Sequence, residues 1–253
     1  MRYHHDIFAF IIAALLVITG CAVKSSLINA ASKGDTLTTQ KQIKEGANIN
    51  EVDKNGATPL MHAIWNGQTE TAKALVNMGA DLNVKDSQNS TALLYAASHG
   101  YYELTEILIK KGADINIKAK SGETALTNVA DYKIAKLLID GGADINAQNN
   151  MGMTALHYTA QTYNDNRAVM IAEYLLSKNA STNLKDTSGW TALRHAIYNK
   201  NIDIVALIRK KTNWEEEIES LSMDEVLSIF LCKIFIGQFF EERQVLTHFS
   251  YRA

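Results

Sequence analysis

Seven histidines and two cysteines are the residue types here best suited to hold a metal or carry nucleophilic chemistry. Their spacing offers neither. His4 and His5 fall in an apolar N-terminal segment, and His248 in the last residues of the chain. His62 and His195 hold equivalent places in a repeated pattern but stand 133 residues apart, too far to share an ion in a linear stack. Asp81, Asp114 and Asp144 each follow Gly-Ala at a regular interval, which marks them as turn formers rather than an acid–base pair. No phosphate-cradling glycine loop, H-E-x-x-H, G-x-S-x-G or C-x-x-C is present in the sequence. The expectation is a protein that is not an enzyme and takes no cofactor, metal or small-molecule substrate.

One cysteine has an informative setting. Arg2 opens a polar start, a 13-residue apolar run extends from Ile7 to Thr19, and Ile18-Thr19-Gly20-Cys21 closes it. That run is short for a spanning helix and matches the layout of an export signal, although Asp6 sits where only positive charge is usual. An aliphatic residue, two small ones and a cysteine resemble the bacterial lipoprotein box. The resemblance implies cleavage before Cys21 and acylation of its thiol and new amino group. Residues 1–20 are then a signal peptide, and 21–26 a lipidated N-terminus with a short tether. An apolar segment that ends in cysteine by chance, and an uncleaved anchor, stay open as alternatives. Ala22 follows the cysteine in place of the Asp associated with inner-membrane retention. This implies a periplasmic protein on the inner leaflet of the outer membrane rather than on the inner membrane. With Cys21 acylated, Cys232 has no disulfide partner, and within "LSIFLCKIF" it reads as a small buried apolar residue.

The remaining composition is globular, with 47% apolar and 21% charged residues and a formal charge of −2. Near-neutrality excludes the concentrated Lys/Arg excess of a nucleic-acid binder. One proline against 14 glycines points to helices punctuated by glycine turns.

Those helices repeat. "GATPLMHAIWNGQTETAKALVNMGADLN" at 56–83 is followed by "STALLYAASHGYYELTEILIKKGADIN" at 90–116, and related copies occupy 122–146, 152–183 and 189–210. "SSLINAASKGDTLTTQKQIKEGANIN" at 25–50 is a degenerate first copy. Thr58, Thr91, Thr124, Thr154 and Thr191 open successive units at spacings of 33, 33, 30 and 37 residues. Each threonine is placed to cap an inner helix, with Pro59 in a first helical turn. Gly67, Gly79, Gly100, Gly112 and Gly142 supply turns. One face of every unit is too apolar to leave in water, so the units must stack. Two break the length rule: the 124 unit loses three residues around Asp131-Tyr132-Lys133, and the 154 unit gains four near Tyr163–Asn166.

The recurring T-x-L-h-x-A-x-x-x-G and L-L-x-x-G-A-D-h-N patterns resemble the ankyrin repeat family over roughly residues 25–212. The resemblance implies an all-α solenoid over 27–212, of about six helix-turn-helix repeats with β-hairpin tips. It also implies that His157, at the repeat's own histidine position, ties turns together. Partner-binding positions in the family are the hairpin tips and the exposed face of the inner helices. The tips are Lys54-Asn55, Ser87-Gln88, Lys120-Ser121, Asn150-Met151 and Thr187-Ser188, with Lys54, Gln88 and Lys120 the leading candidates. The residue before each threonine joins them: Ala57, Ser90, Glu123, Met153 and Trp190. Inner-helix candidates are Trp65, Asn66, Ser98, His99, Gln161, Tyr198 and Asn199. His62, Tyr95, Asn128, Tyr158 and His195 lie on the same helical face, either binding a partner or packing between helices.

From 213 to 253 the repeat stops. Ser222-Met223-Asp224-Glu225 forms a capping-box pattern before an apolar helix that runs to about Phe240, too short and too charged at Lys233 to span a membrane. A C-terminal helical cap on the stack is expected; self-association or a partner groove are its alternatives. The expected function is a non-catalytic protein–protein interaction module, anchored by lipid. Most specifically it resembles a periplasmic immunity protein that binds and neutralises an envelope-attacking effector such as a secreted phospholipase. A periplasmic scaffold or protective partner of an envelope enzyme is the alternative, and a secreted effector acting on host proteins the third. Partners are another protein and, through the anchor, a membrane, with no nucleic acid.

Overall fold

Helices that open on a threonine do so because its hydroxyl accepts a backbone N–H that the first helical turn leaves unpaired. Thr58 Oγ accepts from Met61 N at 3.2 Å, Thr91 from Leu94 N at 3.4 Å and Thr191 from Arg194 N at 3.3 Å. The computed structural model describes residues 27–127, 129–163 and 165–211. The expected signal peptide, Cys21, Asn128, Asn164, Cys232 and the C-terminal helix expected within 213–253 lie outside the described residues.

The chain divides between Met151 and Gly152 into two compact units. The first contains helices α1 (27–33), α2 (Thr36–Lys44), α3 (Pro59–Trp65), α4 (Thr69–Asn77), α5 (Ala92–Ser98), α6 (Tyr102–Lys110) and α7 (Tyr132–Asp140). The second contains α8 (Ala155–Gln161), α9 (Asn166–Ser177), α10 (Ala192–Tyr198) and α11 (Ile202–Arg209). No helix among the described residues is long and apolar enough to cross a membrane.

In the first unit α3 and α5 pack side by side as an inner layer, and α2, α4, α6 and α7 follow one another as an outer layer. Leu60, Ile64, Leu75, Leu93, Leu104, Leu108, Leu126, Ile134 and Leu138 fill the space between them and are fully buried. In the second unit α8 packs on α10 and α9 on α11, around Leu156, Ala160, Ala172, Leu175, Ala196, Ile204 and Ile208. Alanines at the closest approaches, Ala63 and Ala96 among them, let short inner helices lie against their outer partners.

The inner helices α3, α5 and α10 end in a Schellman turn, whereas α8 ends on Thr162 in an extended conformation. Gly67 N donates to Ile64 O and Gln68 N to Ala63 O, with Gly67 at φ +69°. Lys200 occupies the same place after α10 at φ 56°, without the freedom of glycine. The tips are tight turns rather than strands, apart from an isolated bridge between Lys185 and Thr191. Their register is set by stacking: Ser87 N donates to Asn55 O, Lys120 N to Gln88 O and Asn150 N to Ser121 O. Asn50, Asn83 and Asn116 reinforce it, each accepting through Oδ1 the backbone N–H of Asp81, Asp114 or Asp144 one repeat on. Each of these aspartates closes its own turn, Asp81 Oδ1 accepting from Asn83 N at 2.9 Å, as expected of turn formers.

The two irregular units behave differently. In the longer one the extra residues lie between α8 and α9, and Asp165 caps α9 through Arg167 N. In the shorter one the deletion does more than trim a helix end: Thr124 to Thr127 form a turn, and the next helix begins at Tyr132, capped by Asp131. The Thr127 hydroxyl oxygen takes Thr124 N at 3.0 Å and bonds the Thr124 hydroxyl at 2.9 Å, closing the turn on itself. Three residues are nearly one helical turn, and what remains is too short for both an inner helix and its Schellman exit.

Candidate protein-binding surface

Inner helices are short, so each presents its exposed side chains from two successive turns. On α3 these are His62, Trp65 and Asn66, and on α5 Tyr95, Ser98 and His99. Their rings form a continuous series, edge-to-face from His62 through Trp65 to Tyr95 and tilted from Tyr95 to His99. His62 and Trp65 centroids are 5.0 Å apart, Trp65 and Tyr95 4.9 Å, and Tyr95 and His99 6.5 Å. His99 then stacks on Tyr101 at 5.7 Å. Such contacts hold large side chains in place before any partner arrives. Trp65 is half-buried in the series, while Ser98 and His99 are exposed. Asn66 Nδ2 donates to His62 O and to Ser32 Oγ, and His99 Nδ1 donates to Tyr95 O.

In the second unit Trp190 is the centre. Its ring lies 5.2 Å from His195 and 5.4 Å from Tyr198, with the Arg194 guanidinium 4.7 Å above it. Tyr198 is 66% exposed. Tyr158 is half-buried. Gln161 is exposed, and its Nε2 reaches His195 Nδ1 at 3.5 Å. Asn199 Nδ2 donates to His195 O, as Asn66 does to His62 O. Lys54, Gln88 and Lys120 are exposed at their tips. Ala57, Ser90 and Met153, expected to join the tips, are buried instead, because the residue before the capping threonine turns inward to close the tip.

Three of the large residues are held from behind by an acid. His62 Nε2 donates to Asp53 Oδ2 at 3.1 Å, Tyr95 Oη to Asp86 Oδ2 at 2.5 Å, and His195 Nε2 to Asp186 Oδ2 at 2.8 Å. The other oxygen of each acid accepts two backbone N–H groups of the tip: Asn55 and Ala57, Gln88 and Ser90, Ser188 and Trp190. Desolvation works against the carboxylates of Asp53 and Asp186, but these N–H donors and the facing histidines outweigh it and hold both below the usual range. Burial, with Asp86 beside it, pushes the Tyr95 phenol up to about 12, so it stays a donor. The reading of single residues missed these aspartates. Their signal was available: an Asp stands five residues before Thr58, Thr91 and Thr191, each followed four residues on by His or Tyr, whereas Asn149 takes that place before Thr154 and Tyr158.

His157 is fully buried. Its Nδ1 accepts from Thr154 N at 3.2 Å and from the Thr154 hydroxyl at 2.8 Å, and its Nε2 donates to Trp190 O at 3.2 Å. It ties the start of α8 to the following tip. Among the described residues no group of three or more His, Cys, Asp or Glu side chains could hold a metal ion.

The family model described as ankyrin repeats (3 copies) matches twice, over residues 27–119 and 121–218. The chain belongs to the ankyrin repeat family, whose fold is typically a non-catalytic protein–protein interaction module. No curated protein matches it. Among solved structures, an ankyrin repeat protein is similar at 30% identity and a TM-score of 0.70, covering 75% of this chain and 98% of that one. An ankyrin repeat domain from Acinetobacter baumannii is similar at 29% identity and a TM-score of 0.69, covering 74% and 97%. A third similar chain comes from the complex of a predatory endopeptidase from Bdellovibrio bacteriovorus with an immunity protein. It is 29% identical with a TM-score of 0.64, covering 74% of this chain and 97% of that one.

Proposed function

We propose that this protein is an immunity protein of the bacterial envelope, which binds and blocks a hydrolase that attacks the envelope. The likeness to a chain of the endopeptidase–immunity complex, over 97% of that chain, carries the reading. The aromatic surface supports it. An inhibitor needs large, preorganised amphipathic side chains and no chemistry of its own; Trp65 and Tyr95 in the first unit, and Trp190 and Tyr198 in the second, are each held ring against ring. The lipobox at Ile18–Cys21 supports a periplasmic location, with acylated Cys21 holding the repeats against the outer membrane. Two or three acyl chains make such anchoring effectively permanent, at about 0.8 kcal/mol per buried methylene. From Cys21, residues 22–26 reach about 17 Å at full extension, so the binding surface stands close to the lipid. The target is then an enzyme that works at that membrane, a phospholipase or an endopeptidase of the envelope.

The test is survival. Cells that lack the gene are expected to lyse when mixed with siblings that deliver the hydrolase, and to recover when the full chain is restored. Full resistance of the deletion strain, with no complex between the purified chain and any hydrolase those siblings export, overturns the reading.

A further inference from the structure

The unit that opens at Thr124 departs from the chain's own pattern, and a cleft of about 240 Å³ lies beside it. On one flank α5 packs against α3, whereas on the other it meets the Thr124–Thr127 turn instead of a helix. The cleft runs between them. Leu94, Tyr95 and Ser98 of α5 line one wall with Gln88 and Ser90, and Ala119, Ser121, Glu123, Thr124 and Ala125 line the other.

We propose that this cleft receives one basic side chain, a lysine or arginine, from the protein partner. Its volume is below the ~300–1,000 Å³ usual for small-molecule pockets and suits a single long side chain. No cationic residue is among its lining residues, and Glu123 is the charge that faces it, accepting from Ser121 Oγ at 3.2 Å. Asp86 adds a second negative charge behind Tyr95. The hydroxyls of Ser98, Ser121 and Thr124 offer further acceptors. Leu94, Ala119 and Ala125 give an apolar track for the aliphatic stem of a side chain whose head is charged. An acidic guest meets Glu123, and a purely apolar one leaves the hydroxyls and the carboxylate desolvated without partners. The inference rests on the chain being a protein-binding module, not on which protein it binds.

The test uses the ¹⁵N-labelled full chain in detergent and two small probes, Nα-acetyl-arginine methylamide and its uncharged isostere Nα-acetyl-citrulline methylamide. Saturable amide shifts at Ser98, Ser121, Glu123 and Thr124 are expected with the arginine probe in the millimolar range, and about three- to fivefold weaker binding with citrulline. Glu123→Gln is expected to erase that preference, and Ser98→Trp, which fills the cleft, to abolish binding while the thermal melt stays cooperative. Equal binding of the two probes, or shifts that do not localise to the cleft, overturns the proposal. Neither result touches the survival test above, which does not depend on this cleft.

Discussion

The Tyr95 hydroxyl reaches back nine residues to Asp86 Oδ2 at 2.5 Å, while Asp86 Oδ1 holds the backbone N–H groups of Gln88 and Ser90. One buried carboxylate therefore joins a tip to the inner helix that follows it. Tyr95→Phe removes one donor and leaves an acceptor underused, an expected loss of about 1–2 kcal/mol. Asp86→Ala removes the acceptor of three donors and is expected to cost about 2–4 kcal/mol. Urea unfolding of the two variants checks both the sizes and the order; a larger loss for the tyrosine contradicts the role given to the acid.

His157 makes stability depend on pH in a defined direction. Burial, joined by the nearby His195, holds its pKa below the ordinary value, against the pull of the Trp190 carbonyl. Its Nδ1 accepts two hydrogen bonds, so a proton there breaks both. The unfolded chain takes the proton more readily, with a pKa of about 6.5. The stabilisation is therefore complete above about 6.5 and declines as pH falls below it. Asp53 and Asp186, also held low, add a second loss only below about pH 4. The gap in melting temperature between the native chain and His157→Gln is expected to narrow from pH 7.5 to 5. A gap that stays constant in calorimetry contradicts the assignment.

Two glycines separate backbone conformation from crowding. Gly142 has φ +96° with nothing within 4 Å of an added Cβ, whereas Gly122 has φ +81° and a Cβ there would meet Asn150 N at 2.6 Å. Gly142→Ala is expected to cost about 1–2 kcal/mol for the left-handed conformation alone. Gly122→Ala adds the displacement of the neighbouring tip and is expected to cost more. Lys200→Gly, at φ 56°, runs the other way and is expected to stabilise by about 0.5–1 kcal/mol. Chemical denaturation of the three variants orders them.

Binding and stability separate at Tyr198. Its exposure predicts that Tyr198→Ala changes stability by less than about 0.5 kcal/mol. A role in the proposed interface predicts a loss of about 2 kcal/mol in partner affinity, roughly thirtyfold in Kd. Trp65→Ala is expected to lower both, because the ring also bridges His62 and Tyr95. Calorimetric titration with the captured hydrolase measures the affinity loss; unchanged affinity when Trp65→Ala and Tyr198→Ala are combined removes both residues from the interface.

Lipidation at Cys21 predicts that Cys21→Ala moves the chain out of the detergent phase in a Triton X-114 partition and stops palmitate labelling. Retention of either property sinks the anchor.

The repeat register was legible residue by residue. Thr58, Thr91 and Thr191 cap helices, Gly67 and Gly100 end them, and Asp81, Asp114 and Asp144 close turns, because each act reaches only two to five residues along the chain. Stacking followed from those faces, since one apolar face per unit has no other way to leave water. Candidate binding residues were legible as positions on a helical face.

What they do there was decided by tertiary structure. Whether His62 faces a partner or an acid depends on where the tip folds back to place Asp53, which helical periodicity does not carry. Ala57 and Ser90 turn inward for the same reason, since the tip closes over them. The edge-to-face order from His62 through Trp65 to Tyr95 exists only once α3 and α5 lie side by side. The three-residue deletion was visible in the sequence as a spacing of 30. Its consequence, a turn in place of an inner helix with a cleft against α5, was not, because volume left between neighbours is a property of the packed stack and not of any one repeat.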